Sequence, residues 1–249
     1  MDNREGKDRI VFRTQSEKSC EILSNGILSP NEWATDESLK RIYDTSWEIR
    51  YDHEASLISN IISNFNHKKI LELGPGPGLL CNKILKIHPE LEYHLVDIQA
   101  AKEANIKENL GGIFHVQDLN LDFNTEEFPG DIDLFVANDF LEHIQNPARI
   151  VLKVKSILNS EGKALISVPN WRMGHAWIYR GLFDWDNFIH FMWQHGFIIE
   201  GYEGSPLKTS PFPKLESEST MPNEMLTSWN FYMLFKRNDN EKNNIRITK

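Results

Sequence analysis

Between Lys68 and Asn170 five short apolar runs alternate with stretches of helical spacing, and this alternation narrows the fold more than any other feature of the chain. The runs are "KKILELG", "EYHLVDI", "GIFHVQDL", "IDLFVAND" and "GKALISVPN". The helical stretches are "LLCNKILKIH", "AAKEANIKEN" and "NPARIVLKVKSIL", the last ended by "NSEG". A strand, helix and strand sharing one sheet cross over right-handed, so the strands run parallel and helices cover both faces. The expected class is α/β, a doubly wound, mostly parallel sheet.

The flanks have a different character. Residues 1–35 are polar, with turn signals at "SNG" and "SPNE", and read as an N-terminal arm. From Asp36 the segment "ESLKRIYDTSWEIRYDHEASLISNIISNF" places Leu39, Ile42, Tyr43, Trp47, Ile49, Leu57, Ile58, Ile61 and Ile62 at helical spacing. After the fifth run, a helix around "DNFIHFMWQHG" is stopped by Gly196 and leads to "FIIEGYEG" and "SWNFYMLFKR". Two strands joined by a long loop suit an antiparallel close to the sheet. One domain is expected over residues 36–237, with a lid insertion at about 170–187 and a polar, disordered tail at 238–249.

Composition restricts the partners. A chain of 249 residues that is 40% hydrophobic can bury a core without a disulfide or metal staple. Cys20 and Cys81 lie far apart in no ligand spacing, so they read as reduced thiols of a cytoplasmic protein, and no metal is expected. The charged start "MDNREGKDRI" lacks a secretion signal's apolar stretch, and no run approaches the ~20 apolar residues of a membrane span. The net charge of −9 comes with no dense Lys/Arg cluster and repels phosphate backbones. The expected partner is a small molecule, with no nucleic acid and no membrane, and the protein is expected as a monomer or homodimer.

The loop after the first run, "GPGPG", is where a ligand of an open α/β sheet belongs. It fits neither common phosphate cradle. Gly74 and Gly76 meet the first two positions of a dinucleotide fingerprint, but Leu79 takes the third, and no Gly-Lys-Ser/Thr follows. Pro75 and Pro77 have no N–H for an anion, and they keep Gly74 and Gly76 extended. The loop suits a ligand that lies on bare backbone and carries no phosphate there; the bland alternative is a tight structural turn. Asp97 ends the second run and can accept both hydroxyls of a ribose, and Asp118 ends the third, where it can accept from an adenine amino group. Either acid can instead be a turn former or helix cap.

Together "ILELGPGPG", "YHLVDI", "FHVQDL", "DLFVANDFLEHIQNP" and "ALISVPN" resemble the class I S-adenosylmethionine-dependent methyltransferases, in their small-molecule branch. The likeness is strong from Lys68 to Asn170 and continues to Arg237 by order of elements. It implies a Rossmann-like seven-stranded sheet with N-terminal helices and an antiparallel last strand, and S-adenosylmethionine as cofactor, leaving as S-adenosylhomocysteine. By that resemblance Glu72, Gly74, Gly76 and Gly78 surround the methionine part, Asp97 and Ile98 the ribose, and Asp118 and Leu119 the adenine. Asn138 and Asp139 follow the fourth strand beside the methionine moiety and the acceptor. The Asn/Asp-Pro-Pro-aromatic signature of enzymes that methylate nucleic-acid amines is absent.

Methyl transfer needs acceptor, methyl and sulfur aligned in a dry pocket, so catalytic residues are few. His143 in "NDFLEHIQNP" titrates near neutrality, as a base for a hydroxyl or ammonium proton needs, with Asp139 or Glu142 to orient it. Asn170, Trp171, Arg172 and His175 belong to the expected lid, with Trp177, Tyr179, Arg180 and Trp185 nearby; its aromatics either meet the acceptor or pack a small core of their own. Tyr43, Trp47, Tyr51 and His53 precede the sheet and are expected over the cofactor and acceptor. The expected activity is methyl transfer to oxygen or nitrogen of a small polar metabolite, preferably a bacterial sugar, nucleotide-sugar or secondary-metabolite precursor. The alternative is a cofactor-binding partner subunit without methyl transfer.

Overall fold

The apolar alternation builds a single seven-stranded sheet in the computed structural model, which describes residues 45–170, 180–206 and 228–239. The described chain begins with helix α1 (Thr45–Phe65) and continues through β1 (Lys69–Leu73), α2 (Leu79–Ile87), β2 (Glu92–Asp97), α3 (Gln99–Lys107) and β3 (Ile113–Val116). Then come β4 (Ile132–Asn138), α4 (Pro147–Ile157), β5 (Leu158–Pro169), α5 (Trp185–Gln194), β6 (Phe197–Gly204) and β7 (Asn230–Arg237). Short 3-10 turns lie at Thr125–Glu127, Leu141–His143 and Arg180–Phe183.

The strand order is β3-β2-β1-β4-β5-β7-β6. β1 to β5 pair in parallel, whereas β7 runs antiparallel to both β5 and β6. The expected sheet and its antiparallel last strand are therefore present. That strand is not at the edge: it slots between β5 and β6, which brings Asn230 opposite Pro169 and Tyr232 opposite Ser167. Strand order reverses between β1 and β4, so the loops after these two strands flank the crevice that open α/β sheets use for ligands.

Two apolar layers sandwich the sheet, because successive side chains leave a strand on opposite faces. Ile70, Leu134, Val136, Leu165 and Tyr232 pack under α1 and α2 through Ile58, Ile61, Ile62, Leu80 and Ile84. Leu71, Phe135, Ala164, Ile166, Met233 and Phe235 face the other way, onto Ile150, Val151 and Val154 of α4 and Phe188 and Met192 of α5. Each Val, Leu, Ile, Phe or Met among them contributes about 1.5–3 kcal/mol when fully buried.

Some boundaries differ from the sequence reading. β3 stops at Val116, so Asp118 lies two residues beyond the strand in a turn. β5 starts at Leu158, directly after α4, so "NSEG" lies within the strand and does not separate the two elements. Asn146 caps α4 by accepting from Arg149 N at 3.0 Å, with Pro147 in the first turn, where its missing N–H costs no helical bond. Tyr43, Trp171, Arg172, His175, Trp177 and Tyr179 lie outside the described residues, as do the arm at 1–35 and the tail beyond Asp239. Of Trp47 and Arg180 only the backbone is described. No described helix is long and apolar enough to cross a membrane.

Candidate active site

The glycine loop spends every amide it has within the chain. Gly74 N donates to Val96 O at 3.0 Å, Gly76 N to Asp97 Oδ2 at 2.9 Å and Gly78 N to Pro75 O at 3.1 Å. Pro75 and Pro77 have none to give. From Gly74 to Gly78 no N–H is left for a phosphate, so the loop is built for something else.

The three glycines answer different needs. All have positive φ, at +71°, +56° and +89° for Gly74, Gly76 and Gly78. A Cβ on Gly74 would sit 2.2 Å from Phe140 Cδ2, and one on Gly78 would crowd Asn105 and Leu95. Those two glycines make room for the protein's own side chains, and Asn105 also donates to Pro77 O at 2.8 Å. Only a Cβ on Gly76 would meet open space, so the bare surface a ligand can lie on is at Gly76.

Asp97, the last residue of β2, has Gly76 N on one oxygen and Ile98 N on the other, the latter at 2.7 Å. Burial raises its carboxyl to about 6, and the two amides pull against that. Each oxygen keeps a further lone pair for a hydroxyl. Glu72, buried on β1, accepts the Tyr93 hydroxyl at 2.9 Å, and burial lifts it to about 8. Asp118 Oδ1 takes Asn120 N at 3.0 Å, a local turn bond, and Leu119 is buried with its carbonyl accepting from Arg149 Nη2 at 2.8 Å.

At the end of β4, Asp139 adopts φ +47° and its carboxylate is crowded with donors. Arg50 Nη1 reaches it at 2.7 Å and the Ser167 hydroxyl at 3.0 Å, and Asn230 Nδ2 donates to it as well. Arg50 Nε in turn meets Glu54 Oε1 at 2.6 Å, and the Tyr232 hydroxyl donates to the same oxygen at 2.8 Å. Burial opposes the Arg50 charge, but Asp139 and Glu54 outweigh it and hold the guanidinium protonated. This network, absent from the sequence reading, ties α1 to β4, β5 and β7. One signal was available: Arg50 and Glu54 continue at four-residue spacing onto Ile58 and Ile62, so two charges stand on the stripe α1 buries.

The remaining candidates are distributed around this end of the sheet. Asn138 adjoins Asp139, and both polar atoms of its amide are buried with no hydrogen-bond partner. Buried, unsatisfied amides of this kind are completed in native structures by a ligand or an ordered water. His143 lies on the 3-10 turn after β4 with Nε2 3.8 Å from Glu142 Oε1. Tyr51 is half-buried on α1, where burial raises its hydroxyl pKa. Asn170, expected beside the acceptor, is fully buried and fastens β5 to the start of β7 through Ser228 O at 3.0 Å. Trp185 packs edge-on against Tyr202 and Phe231, so for this tryptophan the core role holds. His53 stands edge-on to Tyr232, 3.5 Å from Glu203 Oε1. Among the described residues no three His, Cys, Asp or Glu side chains are grouped to hold a metal.

A methyltransferase-domain family model matches residues 47–206, most of the described chain. The chain belongs to that family. The ribosomal RNA small subunit methyltransferase G of Prochlorococcus marinus subsp. pastoris is 24% identical over 180 residues, covering 65% of this chain and 66% of that protein. The malonyl-[acyl-carrier protein] O-methyltransferase 1 of Ilyobacter polytropus is 33% identical over 102 residues, 39% of this chain and 37% of its own length. This methyltransferase-family chain thus spans at most two thirds of these curated relatives. Among solved structures, the S-adenosylmethionine-dependent methyltransferase of Clostridium acetobutylicum superposes with a TM-score of 0.58 at 13% identity, over 81% of this chain and 98% of that one. The plantazolicin methyltransferase BpumL, solved with S-adenosylhomocysteine, gives 0.59 at 16% identity over 89% and 99%. The fold is the Rossmann-like class I methyltransferase fold, and S-adenosylmethionine is the methyl donor of that class. The residues at this end of the sheet fit such a nucleoside: an open glycine, a loop with no spare amide, and a carboxylate with lone pairs to spare.

Proposed function

We propose that this methyltransferase moves a methyl group from S-adenosylmethionine to an oxygen or nitrogen of a small polar metabolite. The observation that carries the reading is the exhausted loop, in which Gly74, Gly76 and Gly78 all donate within the chain. The loop itself offers a pyrophosphate no donor and leaves it only the first amides of α2, whereas a ribose finds Asp97. Bound at this crevice, the cofactor supplies a methyl already activated on a sulfonium sulfur.

The chain's own share is to bind, align and exclude water. Gly76, Asp97 and Ile98 take the ribose side, Asp118 and Leu119 the adenine side, and Glu72 and Asn138 the methionine side. His143 receives the acceptor's proton where the acceptor is a hydroxyl or ammonium. Asp139 serves as a positioning residue, because Arg50, Ser167 and Asn230 already engage its carboxylate. Tyr51 is the described residue assigned to the acceptor; Tyr43, Trp47, Trp171, Arg172 and His175 are assigned to it from the sequence alone.

A sugar, nucleotide-sugar or secondary-metabolite precursor remains the preferred acceptor class. One relative is named for small subunit ribosomal RNA and another for malonyl-[acyl-carrier protein]. The net charge of −9 argues against an RNA backbone as substrate. The second reading, a cofactor-binding subunit without activity, shares the cofactor crevice but gives His143 no task.

Calorimetry with S-adenosylhomocysteine and with NADH tests the cofactor class, and release of S-adenosylhomocysteine across an acceptor panel tests turnover. Tight NADH binding with none for the sulfur nucleoside overturns the reading. Sulfur-nucleoside binding without turnover on any acceptor class favours the subunit.

A further inference from the structure

Two oxygens where α1 meets β7 are built as acceptors and have nothing to accept. Glu54 is 1% exposed, and its Oε1 takes both Arg50 Nε and the Tyr232 hydroxyl. Its Oε2 is sealed from solvent without a donor. Asn230 is fully buried, its Nδ2 donates to Asp139 Oδ1, and its own Oδ1 is likewise sealed without a donor.

Neither group can turn to relieve itself. Rotating Glu54 only exchanges which oxygen is orphaned, and flipping the Asn230 amide aims its oxygen at the Asp139 carboxylate. Buried acceptors of this kind persist in native structures where a ligand or an ordered water completes them. The two belong to one string of contacts, because Arg50 joins Glu54 to Asp139 and Asp139 joins Arg50 to Asn230. That string sits at the carboxyl end of β4, one residue from the unpartnered Asn138 amide, at the end of the sheet where ligands enter.

Charge selects the occupant. Arg50, Glu54 and Asp139 together carry a formal charge of −1, one guanidinium against two carboxylates. An ammonium brings the group to zero and a hydroxyl leaves it unchanged. A carboxylate or phosphate adds like charge to oxygens that cannot donate, and Arg50 is already committed to Glu54 and Asp139.

We propose that Glu54 and Asn230 form a subsite for a neutral or cationic hydrogen-bond donor, a hydroxyl or ammonium group of the methyl acceptor. Naming that ligand as the acceptor rests on the methyl-transfer reading above. The subsite excludes anionic groups from this position and leaves a phosphate elsewhere on the acceptor unaffected.

The test uses four probes with one ring and different heads: benzylamine, benzyl alcohol, benzoate and benzyl phosphate. Their binding to the protein loaded with S-adenosylhomocysteine is followed by saturation-transfer NMR. The expected result is binding of the amine and the alcohol and none of the two anions. Glu54→Gln, which puts an amide donor where an acceptor is needed, should weaken benzylamine by about tenfold or more and leave S-adenosylhomocysteine affinity within about twofold. The wild-type selectivity stands as a test even where the variant folds poorly. Equal binding of the anions, or binding of none of the four, overturns the subsite alone. Failure to bind S-adenosylhomocysteine overturns the methyl-transfer reading itself.

Discussion

The Gly76 amide donates to Asp97 Oδ2 at 2.9 Å, so the carboxylate that ends β2 also holds the glycine loop that follows β1. The ends of β1 and β2 are thereby tied into one unit. Under the proposed methyl-transfer function, a ribose bound at Asp97 would meet a loop that the same side chain has already set in place, with little ordering left to do on binding.

Asp97→Ala removes that anchor and orphans the Gly76 and Ile98 amides. Lost hydrogen-bond partners of this type cost about 1–3 kcal/mol each when the group stays buried. The expected outcome is a fall of about tenfold or more in S-adenosylhomocysteine affinity by calorimetry, together with a lower melting temperature. Asp97→Asn, which can still accept at one oxygen, should lie between the variant and the wild type. Unchanged affinity in Asp97→Ala would mean the ribose lies elsewhere.

Gly74→Ala and Gly76→Ala separate structure from binding within one loop. At Gly74 the new methyl would meet the Phe140 ring at 2.2 Å, so over-packing of about 1–3 kcal/mol adds to the left-handed backbone penalty. At Gly76 it meets open space, and only the backbone penalty of about 1–2 kcal/mol applies. Gly74→Ala should therefore show the larger loss of urea stability, partly restored by adding Phe140→Ala. Gly76→Ala should show the larger loss of S-adenosylhomocysteine affinity relative to its stability change.

The sheet could be read from the sequence because its signals are local. Each βα unit carries its own apolar period, and "FIIEGYEG" coincides with β6 residue for residue. Asp97 stands at the strand end where its run in the sequence places it. Asp118 was placed at a strand end that it does not reach, since β3 is an exposed edge strand whose pattern fades before the turn. Arg50, Glu54, Ser167, Asn230 and Tyr232 were missed for a different reason. They meet Asp139 or each other only after α1 docks on the sheet and β7 inserts beside β5, and no spacing along the chain encodes that meeting. For Trp185 the sequence leaves a ligand contact and a core role equally open, and only the strands β6 and β7, which supply Tyr202 and Phe231, decide for the core.

Glu72 gives the protein a stability that falls as pH rises. Burial lifts its folded pKa from 4.5 to about 8, so the unfolded chain gives up this proton first. Below about 4.5 both states hold the proton and the contribution is complete. As pH climbs to about 8 the unfolded state binds fewer protons than the folded one and stability declines, levelling off above that value. Asp97 adds the same trend over a lower window, from 3.8 to about 6. Between about 6 and 8 the Glu72 part stands apart from that of Asp97. Glu72→Gln, which keeps an oxygen for the Tyr93 hydroxyl, should gain melting temperature over the wild type progressively across this interval. A difference that stays constant from pH 6 to 8 would place Glu72 in a wetter setting.

The Arg50–Asp139 pair tests whether the network around α1 stabilises the fold as a unit. Arg50 is 7% exposed and Asp139 16%, so each needs the other's charge. Removing one partner of a buried pair typically costs about 3–5 kcal/mol, because the remaining charge is stranded. Asp139→Leu should therefore destabilise strongly, taking one carboxylate from Arg50 and depriving Ser167 and Asn230 of their acceptor. Arg50→Met should also destabilise, since Asp139 loses the guanidinium that faces it at 2.7 Å and Glu54 loses the same partner. The double variant should recover part of the loss, since an apolar pair strands no charge between these two positions. Urea denaturation of the four proteins gives the coupling energy directly. A coupling near zero would show that the Arg50–Asp139 pair adds nothing to the docking of α1, which then rests on Ile58, Ile61 and Ile62.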